Sequence, residues 1–361
     1  MGVHPPLAKA FDPADVPSQV NKILGEFLSV KAEQASDGRM PLEVTDVLRD
    51  FLLTGGKRLR PALCIAGWYA AGGPGDVAPV LSVAASLEMF HAFCLIHDDV
   101  MDHSAVRRGR PTVHRALAAH HGHNRSPAVA DALGAGAAIL LGDLALAWSD
   151  ELVHTADLTS AQMADVLPLI DTMRTEVMYG QYLDLTTTGQ PTDDPDRALT
   201  IALYKTAKYT IERPLHIGAA LAGADDALRV VLSAYALPIG EAFQLRDDLL
   251  GVYGHPARTG KPRTDDLRAG KHTVLIAIAL RRADEAQGRL LRELLGNPAL
   301  EEDGANRLRR VLTATGAPAA VEHLIQARCE QAEQALAQAP FPDSVSRVLR
   351  ELARHATART V

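Results

Sequence analysis

The sequence predicts an all-α protein on three observations. Alanine and leucine dominate a chain of 361 residues that is 47% hydrophobic, enough to bury a sizeable core. Aromatic residues make up only 4%, and the alternating runs of Val, Ile and Thr that mark half-buried strands are missing. No Gly/Ser/Pro-rich linker divides the chain, so we expect one domain over residues 1–361.

The helices follow in order. Gln19 to Ala35 carries Val20, Ile23, Leu24, Phe27 and Leu28 at helical spacing, and Leu42 to Leu53 repeats the period with Val44, Val47, Leu48, Phe51 and Leu52. Pro79 to Val100 is long enough for six turns, with Leu87, Phe90, His91, Cys94 and Asp98 on one side. Arg115 to Asp131 reads as an exposed polar loop. Its His120, His121 and His123 match no metal-ligand spacing. Helical periods return in Ala132 to Val153, Ala161 to Leu185, Ala198 to Leu221 and Val230 to Leu250. Tyr253 to His272 reads as a long basic loop able to close over phosphates, and Thr273 to Leu295 and Arg307 to Ala356 as the last helices.

Chemistry concentrates in Phe90 to His114, FHAFCLIHDDVMDHSAVRRGRPTVH. On a helix Asp98 and Asp102 are i and i+4, so both carboxylates leave one face while Asp99 points aside. Hard oxygen ligands of this kind suit Mg²⁺, which takes one or two carboxylates and fills its other positions with water and phosphate oxygens. Arg107, Arg108 and Arg110 follow at once and offer bidentate phosphate contacts. Read alone, such a motif also describes a solvated acidic helix end before a basic loop. A second anion site is suggested by Gly55-Gly56-Lys57-Arg58-Leu59-Arg60-Pro61, where glycines free the backbone ahead of a helix N-terminus beside three cations. His91 beneath the platform reads by itself as a hydrogen-bonded core histidine. About 150 residues on, Phe243 to Gly251 ends in the pair Asp247-Asp248, which suggests two helices facing each other in a bundle.

Other classes are disfavoured. A net charge of -7 argues against nucleic-acid binding. Three scattered cysteines, Cys64, Cys94 and Cys329, indicate neither a disulfide framework nor a zinc site and fit a cytoplasmic protein. The N-terminus lacks a basic head followed by an apolar core. The longest uninterrupted apolar run, Ala132 to Gly142, falls short of the roughly 20 residues that span a bilayer, so no integral membrane segment is expected.

GGKRLRP, HDDVMDHSAVRRGRPTVH, GDLAL, KTA, FQLRDDLLGVYG and TGKPRTDDLRAGK, in that order, resemble the trans-isoprenyl diphosphate synthases, or polyprenyl synthetases. The resemblance covers about residues 53–274. It implies a helical bundle around a deep central cavity, a homodimer, and a division of labour over two diphosphates. Asp98 and Asp102 would hold two Mg²⁺ ions and Asp247 a third, with Mn²⁺ as an alternative. The allylic diphosphate would be bound with Arg107, Lys205, Thr206, Gln244, Lys261 and Lys271, of which Arg107, Lys205 and Lys261 would act in catalysis. Isopentenyl diphosphate would go to Lys57, Arg60, His91 and Arg108, which reverses the core reading of His91.

One departure from the family pattern is visible. Gly251 stands where many relatives have a third acid, which puts an outer partner of the metal in doubt but not the metal itself. A class I terpene cyclase would use a similar acid platform, but it needs no second diphosphate pocket, and GGKRLRP, His91 and Arg108 argue against it. A non-catalytic subunit would not retain both acid pairs. Chain length would be set under the platform by Cys94, Phe93 and Phe90, the two phenylalanines lying about 7.5 and 12 Å below Asp98 by helical rise. A large residue five before the first Asp resembles the geranylgeranyl (C20) synthases, with farnesyl and geranylfarnesyl products as alternatives.

Overall fold

The structure is a computed structural model that describes residues 12–256, 260 and 262–357. Helices account for nearly all of its regular structure. They are α1 (Val16–Asp37), α2 (Glu43–Leu53), α3 (Leu59–Ala70), α4 (Ala78–Met101), α5 (Val113–His121), α6 (Pro127–His154), α7 (Ser160–Thr187) and α8 (Pro195–Ile201). A π-helix (Ala202–Glu212) then leads into α9 (Arg213–Leu221) and α10 (Asp226–Tyr253). The chain ends in α11 (Asp265–Ala269), α12 (Val274–Arg282), α13 (Glu285–Leu294), α14 (Glu302–Ala314), α15 (Ala317–Gln338) and α16 (Asp343–Thr357).

Local signals set many of the boundaries. Ser126 caps α6 by accepting from Val129 N with Pro127 at the first position, and Thr159 with Gln162 forms a capping box on α7. Asp225, Thr273 and Asp284 cap α10, α12 and α13 in the same way. The core is built around α4, whose Val83, Ala84, Ala85 and Met89 are fully buried. It packs on α6, while α3 packs on α9, and α10 lies against the π-helix and α15. A second apolar cluster joins the C-terminal half of α10 to α12–α15 through Leu245, Leu249, Leu275, Leu291 and Leu308.

Several expectations are corrected. Residues 115–131 are mostly helical: Leu117 and Ala118 are buried, so α5 runs to His121 and only a short turn precedes α6. The 253–272 segment contains the short helix α11, and the stretches read as two final helices are five, broken within them where Ala283 and Ala339 adopt extended backbone and where Gly316 is left-handed. An unforeseen hairpin follows the acid motif, pairing Val106–Arg107 (β1) with Arg110–Pro111 (β2). Arg108 and Gly109 both have positive φ, 54° and 76°, the backbone a two-residue type I′ turn requires.

By length and composition α4 and α6 could each cross a bilayer, although no uninterrupted apolar run suggested it. The apolar window of α4 is 72% buried and belongs to the core, whereas that of α6 is only 28% buried. Val129, Ile139 and Leu140 therefore face outward from α6.

Candidate active site

A cavity of about 1440 Å³ runs between α3, α4, α7, the π-helix and α10. Of the residues singled out in the sequence, Lys57, Arg60, His91, Phe93, Cys94, Asp98, Arg107, Arg108, Lys205, Thr206, Gln244, Asp247 and Lys271 line it. Lys261 lies outside the described residues. Phe90 does not reach the cavity: it is 1% exposed, with the rings of Phe93 and Tyr209 packed over it at 5.3 and 5.8 Å.

The acid platform sits at the C-terminal end of α4, where Asp102 is already the cap. Its carboxylates gather three cations. Asp98 Oδ2 accepts from Arg107 Nη2 at 3.1 Å and Asp98 Oδ1 from Lys205 Nζ at 3.1 Å, while Asp102 Oδ2 accepts from Lys271 Nζ at 2.7 Å. Asp99, 1% exposed, is not a bystander, because it takes Arg107 Nε at 2.6 Å and orients that guanidinium. Burial pulls the pKa of Lys205 down, but Asp98 and Asp184 outweigh it and the ammonium is raised above its usual value. Lys271 is pushed well above its usual value, because Asp266, Asp102, Asp98 and Asp184 together overcome its burial. Both lysines stay charged, and the field that holds them is the field a divalent ion would meet.

α10 supplies the facing acids. Gln244 links two side chains: it accepts from Thr206 Oγ1 and donates to Asp248 Oδ1 at 2.7 Å. Asp248 also lines the cavity, and burial, reinforced by Asp266 and Asp247 against the Gln244 bond, raises it to about 7. Asp247 is less buried than Asp248. The position of the missing third acid is occupied: a Cβ on Gly251 would lie 1.9 Å from Asp266 Oδ2.

At the other end the Gly55-Gly56 turn bends the chain with φ of 74° and 99°. Of its three cations, Arg58 is structural. It is 2% exposed and bound to Glu88 at 2.7 Å and Asn21 at 2.9 Å, so it cannot serve as an anion ligand. Arg60 enters the cavity, its Nη2 donating to Thr210 Oγ1 at 2.6 Å and its guanidinium stacked 4.2 Å over the Tyr209 ring. Tyr209 in turn meets His91 Nδ1 at 3.0 Å. Burial, with Arg60 and Arg108 nearby, holds His91 well below its usual pKa, so its ring is neutral. Arg108 Nη1 donates to Thr54 O at 3.3 Å, and Lys57 Nζ reaches His355 O on α16 at 3.3 Å.

Sequence reasoning missed Asp184, Gln181, Tyr209, Thr210 and Asp266. Asp184, 7% exposed, holds Lys205 Nζ at 2.6 Å, and Gln181 Nε2 is buried without a hydrogen-bond partner among the described residues. The signal for both was Gly180-Gln181-Tyr182-Leu183-Asp184. Its glycine admits the π-helix, since a Cβ there would lie 2.4 Å from Lys205 N.

The arrangement offers hard oxygen donors from two helices at one end and a neutral imidazole among arginines at the other. Comparison with known proteins adds a lineage to that chemistry. The family model described as polyprenyl synthetase matches residues 42–312. The chain is 31% identical to geranylfarnesyl diphosphate synthase of Aeropyrum pernix, over 92% of this chain and 96% of that protein. It is 34% identical to geranylgeranyl diphosphate synthase of Mycobacterium tuberculosis, over 80% of this chain and 76% of that one. Its fold superposes with a TM-score of 0.92 and 39% identity on geranylgeranyl pyrophosphate synthase from Corynebacterium glutamicum, solved with isoprenyl diphosphate and magnesium, covering 97% of this chain and all of that one.

Proposed function

The chain belongs to the polyprenyl synthetase family and is a trans-prenyltransferase, and from that premise we propose that it condenses isopentenyl diphosphate with an allylic diphosphate to make geranylgeranyl diphosphate. The observation that carries this reading is the coexistence of two anion sites in one cavity: Asp98 and Asp247 with Lys205 and Lys271 at one end, where Lys271 reaches back to Asp102 behind the cavity wall, and Lys57, Arg60, His91 and Arg108 at the other.

The donor set fits magnesium, because carboxylates of α4 and α10 line one cavity in which Lys205 and Lys271 already pair with the acids of α4. Asp98 and Asp102 would hold two ions and Asp247 a third. Magnesium bound there supplies positive charge to a departing diphosphate oxygen. Arg107, oriented by Asp99, and Lys205, held by Asp184, bind the allylic diphosphate with Thr206, Gln244, Lys261 and Lys271. They stabilise charge as the allylic C–O bond breaks. The double bond of isopentenyl diphosphate, held by Lys57, Arg60, neutral His91 and Arg108, then forms the new C–C bond. One proton leaves, taken by the released diphosphate.

Phe93, 9% exposed on the cavity wall, supports the C20 product as the side chain that limits growth. The exposed apolar face of α6 supports a homodimer closing over it. Three unpaired cysteines are in keeping with a cytoplasmic setting, and a family match running through both apolar clusters with one catalytic domain. Incubation with Mg²⁺, isopentenyl diphosphate and each allylic starter, with products separated by chain length, tests the reading: C20 as the main product supports it, and a different length or no elongation refutes it.

A further inference from the structure

We propose that Glu43, His120 and His121 form a transition-metal site of the zinc type, distinct from the acid platform, that ties α2 to α5. Glu43 opens α2 and the two histidines close α5. Neighbouring residues on a helix leave it about 100° apart and ordinarily diverge. Here the two imidazoles turn toward one carboxylate, their ring centroids 4.7 Å apart and nearly perpendicular.

The spacing is that of a coordination shell. Glu43 Oε2 lies 2.9 Å from His121 Nε2, and Glu43 Oε1 lies 3.6 Å from His120 Nε2. Bonds of about 2.0–2.1 Å in a tetrahedral zinc site put neighbouring ligand atoms about 3.3 Å apart, and the two distances, one to each carboxylate oxygen, lie on either side of that value. All three ligand atoms lie within 4.8 Å of one another. The His121 contact is a hydrogen bond, but 3.6 Å is too long for one, so His120 gains nothing specific from its pose that an ion would not improve.

Two imidazole nitrogens with a carboxylate select zinc, nickel or copper over magnesium, which prefers an all-oxygen shell. The carbonyl end of α5 favours a cation and the amide end of α2 opposes it, so the ligand set decides the affinity. The His120 side chain is 70% exposed, which leaves room for water to complete the shell.

The location gives the site a mechanical meaning. α2 and α5 run antiparallel, and their other ends are already cross-linked by Arg110 Nη1 to Asp50 Oδ1 at 3.0 Å and to Thr54 Oγ1 at 3.2 Å. An ion at Glu43, His120 and His121 closes the far end of that frame. α2 leads into the Gly55–Arg60 turn, and α5 follows the hairpin that bears Arg107 and Arg108. The ion would brace both elements from outside.

The test uses metal-stripped full-length protein without diphosphate. Cu²⁺ electron paramagnetic resonance reports nitrogen ligation, read as the difference made by the histidine substitutions because His97 and His103 flank the platform, and calorimetric titration with Zn²⁺ gives affinity. We expect nitrogen splitting and one Zn²⁺ bound per chain in an Asp98→Asn/Asp102→Asn background. Adding His120→Ala and His121→Ala should abolish the splitting and weaken that Zn²⁺ at least tenfold, with helical circular dichroism unchanged. Glu43→Gln, which keeps the side-chain shape, should weaken it about tenfold. Absence of nitrogen splitting in the starting protein, or splitting that survives both histidine substitutions, overturns the proposal.

Discussion

The carboxylate of Asp266 occupies the space above Gly251: a Cβ placed on that glycine would lie 1.9 Å from Asp266 Oδ2. The space that a third acid on α10 would fill is therefore taken by an acid from α11. Asp266 also helps raise Asp248 and Lys271, which places its charge inside the same cluster. We predict that Asp266→Ala lowers turnover about 10–100-fold, as loss of an outer metal partner does. Gly251→Asp should be harmful in the presence of Asp266 and should partly rescue Asp266→Ala, a coupling of about 1 kcal/mol or more in a double-mutant cycle. Additive losses would show that the two positions do not share one task.

Asp98→Asn and Asp102→Asn should each reduce turnover by about 10²–10³, the usual cost of one lost electrostatic contact at developing charge. Each removal also leaves a half-buried ammonium, Lys205 or Lys271, facing a neutral amide. Steady-state kinetics with circular dichroism as a folding control checks this, and near wild-type turnover in either variant would overturn the metal assignment.

Asp247 and Asp248 should differ. Asp247→Ala is expected to abolish turnover and weaken apparent Mg²⁺ affinity, whereas Asp248→Ala retains a measurable fraction, because Asp248 is anchored to Gln244. With Asp248 raised to about 7 by burial, its proton is mostly present at pH 6 and mostly absent at pH 8. Binding of Mg²⁺ and diphosphate beside it should then release protons at pH 6 but not at pH 8. Calorimetry in buffers of different ionisation enthalpy reads the release, and Asp248→Asn should remove it.

Phe93→Ala should lengthen the product by at least one isoprene unit, since burial of each added CH₂ in the space opened is worth about 0.8 kcal/mol. Phe90→Ala should do so less, because Phe93 and Tyr209 cover Phe90. Product chromatography decides, and an unchanged distribution in Phe93→Ala would remove that ring as the floor.

Stability should carry a histidine signature. Burial, with Arg213 nearby and only partly opposed by Glu212, lowers His216 to about 4. A depressed histidine favours folding above its unfolded pKa of about 6.5 and loses that contribution as pH falls toward 4, because the unfolded chain takes up the proton first. The loss is up to about 3 kcal/mol. Thermal unfolding between pH 7 and 4.5 should show a shallower fall for His216→Gln than for the parent, and parallel curves would contradict it.

The helices around the cavity were legible because their apolar stripes repeat for three or more turns, as in α1, α2 and α4. So were the two acid pairs and the arginines after the first, since their residue types have little other reason to sit at apolar helix ends. What escaped depends on tertiary partners. Arg58 looks like Arg60 in sequence, yet Glu88, 30 residues away, takes it into the core. Asp184 looks like any polar residue late in a helix until the π-helix brings Lys205 against it. The hairpin carrying Arg107 and Arg108 is too short to leave a strand pattern. Residues 115–131 read as loop because three histidines and a glycine at their centre outweighed two buried apolar residues, Leu117 and Ala118.

The π-helix constrains how this chain can change over generations. Its bonds run from residue i to i+5, and both Lys205 and Thr210 line the cavity. Eleven residues wound this way are unusual, since such geometry is mostly confined to single turns. Deleting one residue between Ala202 and Glu212 with the winding kept would turn everything beyond it by roughly a quarter turn. Tyr209 and Thr210 could no longer meet His91 and Arg60 while Lys205 still met Asp98. Point substitutions here can therefore be sampled one at a time, but a single-codon deletion separates the two substrate sites in one step, so lineages that keep the activity should keep the length of this segment even where its residues drift.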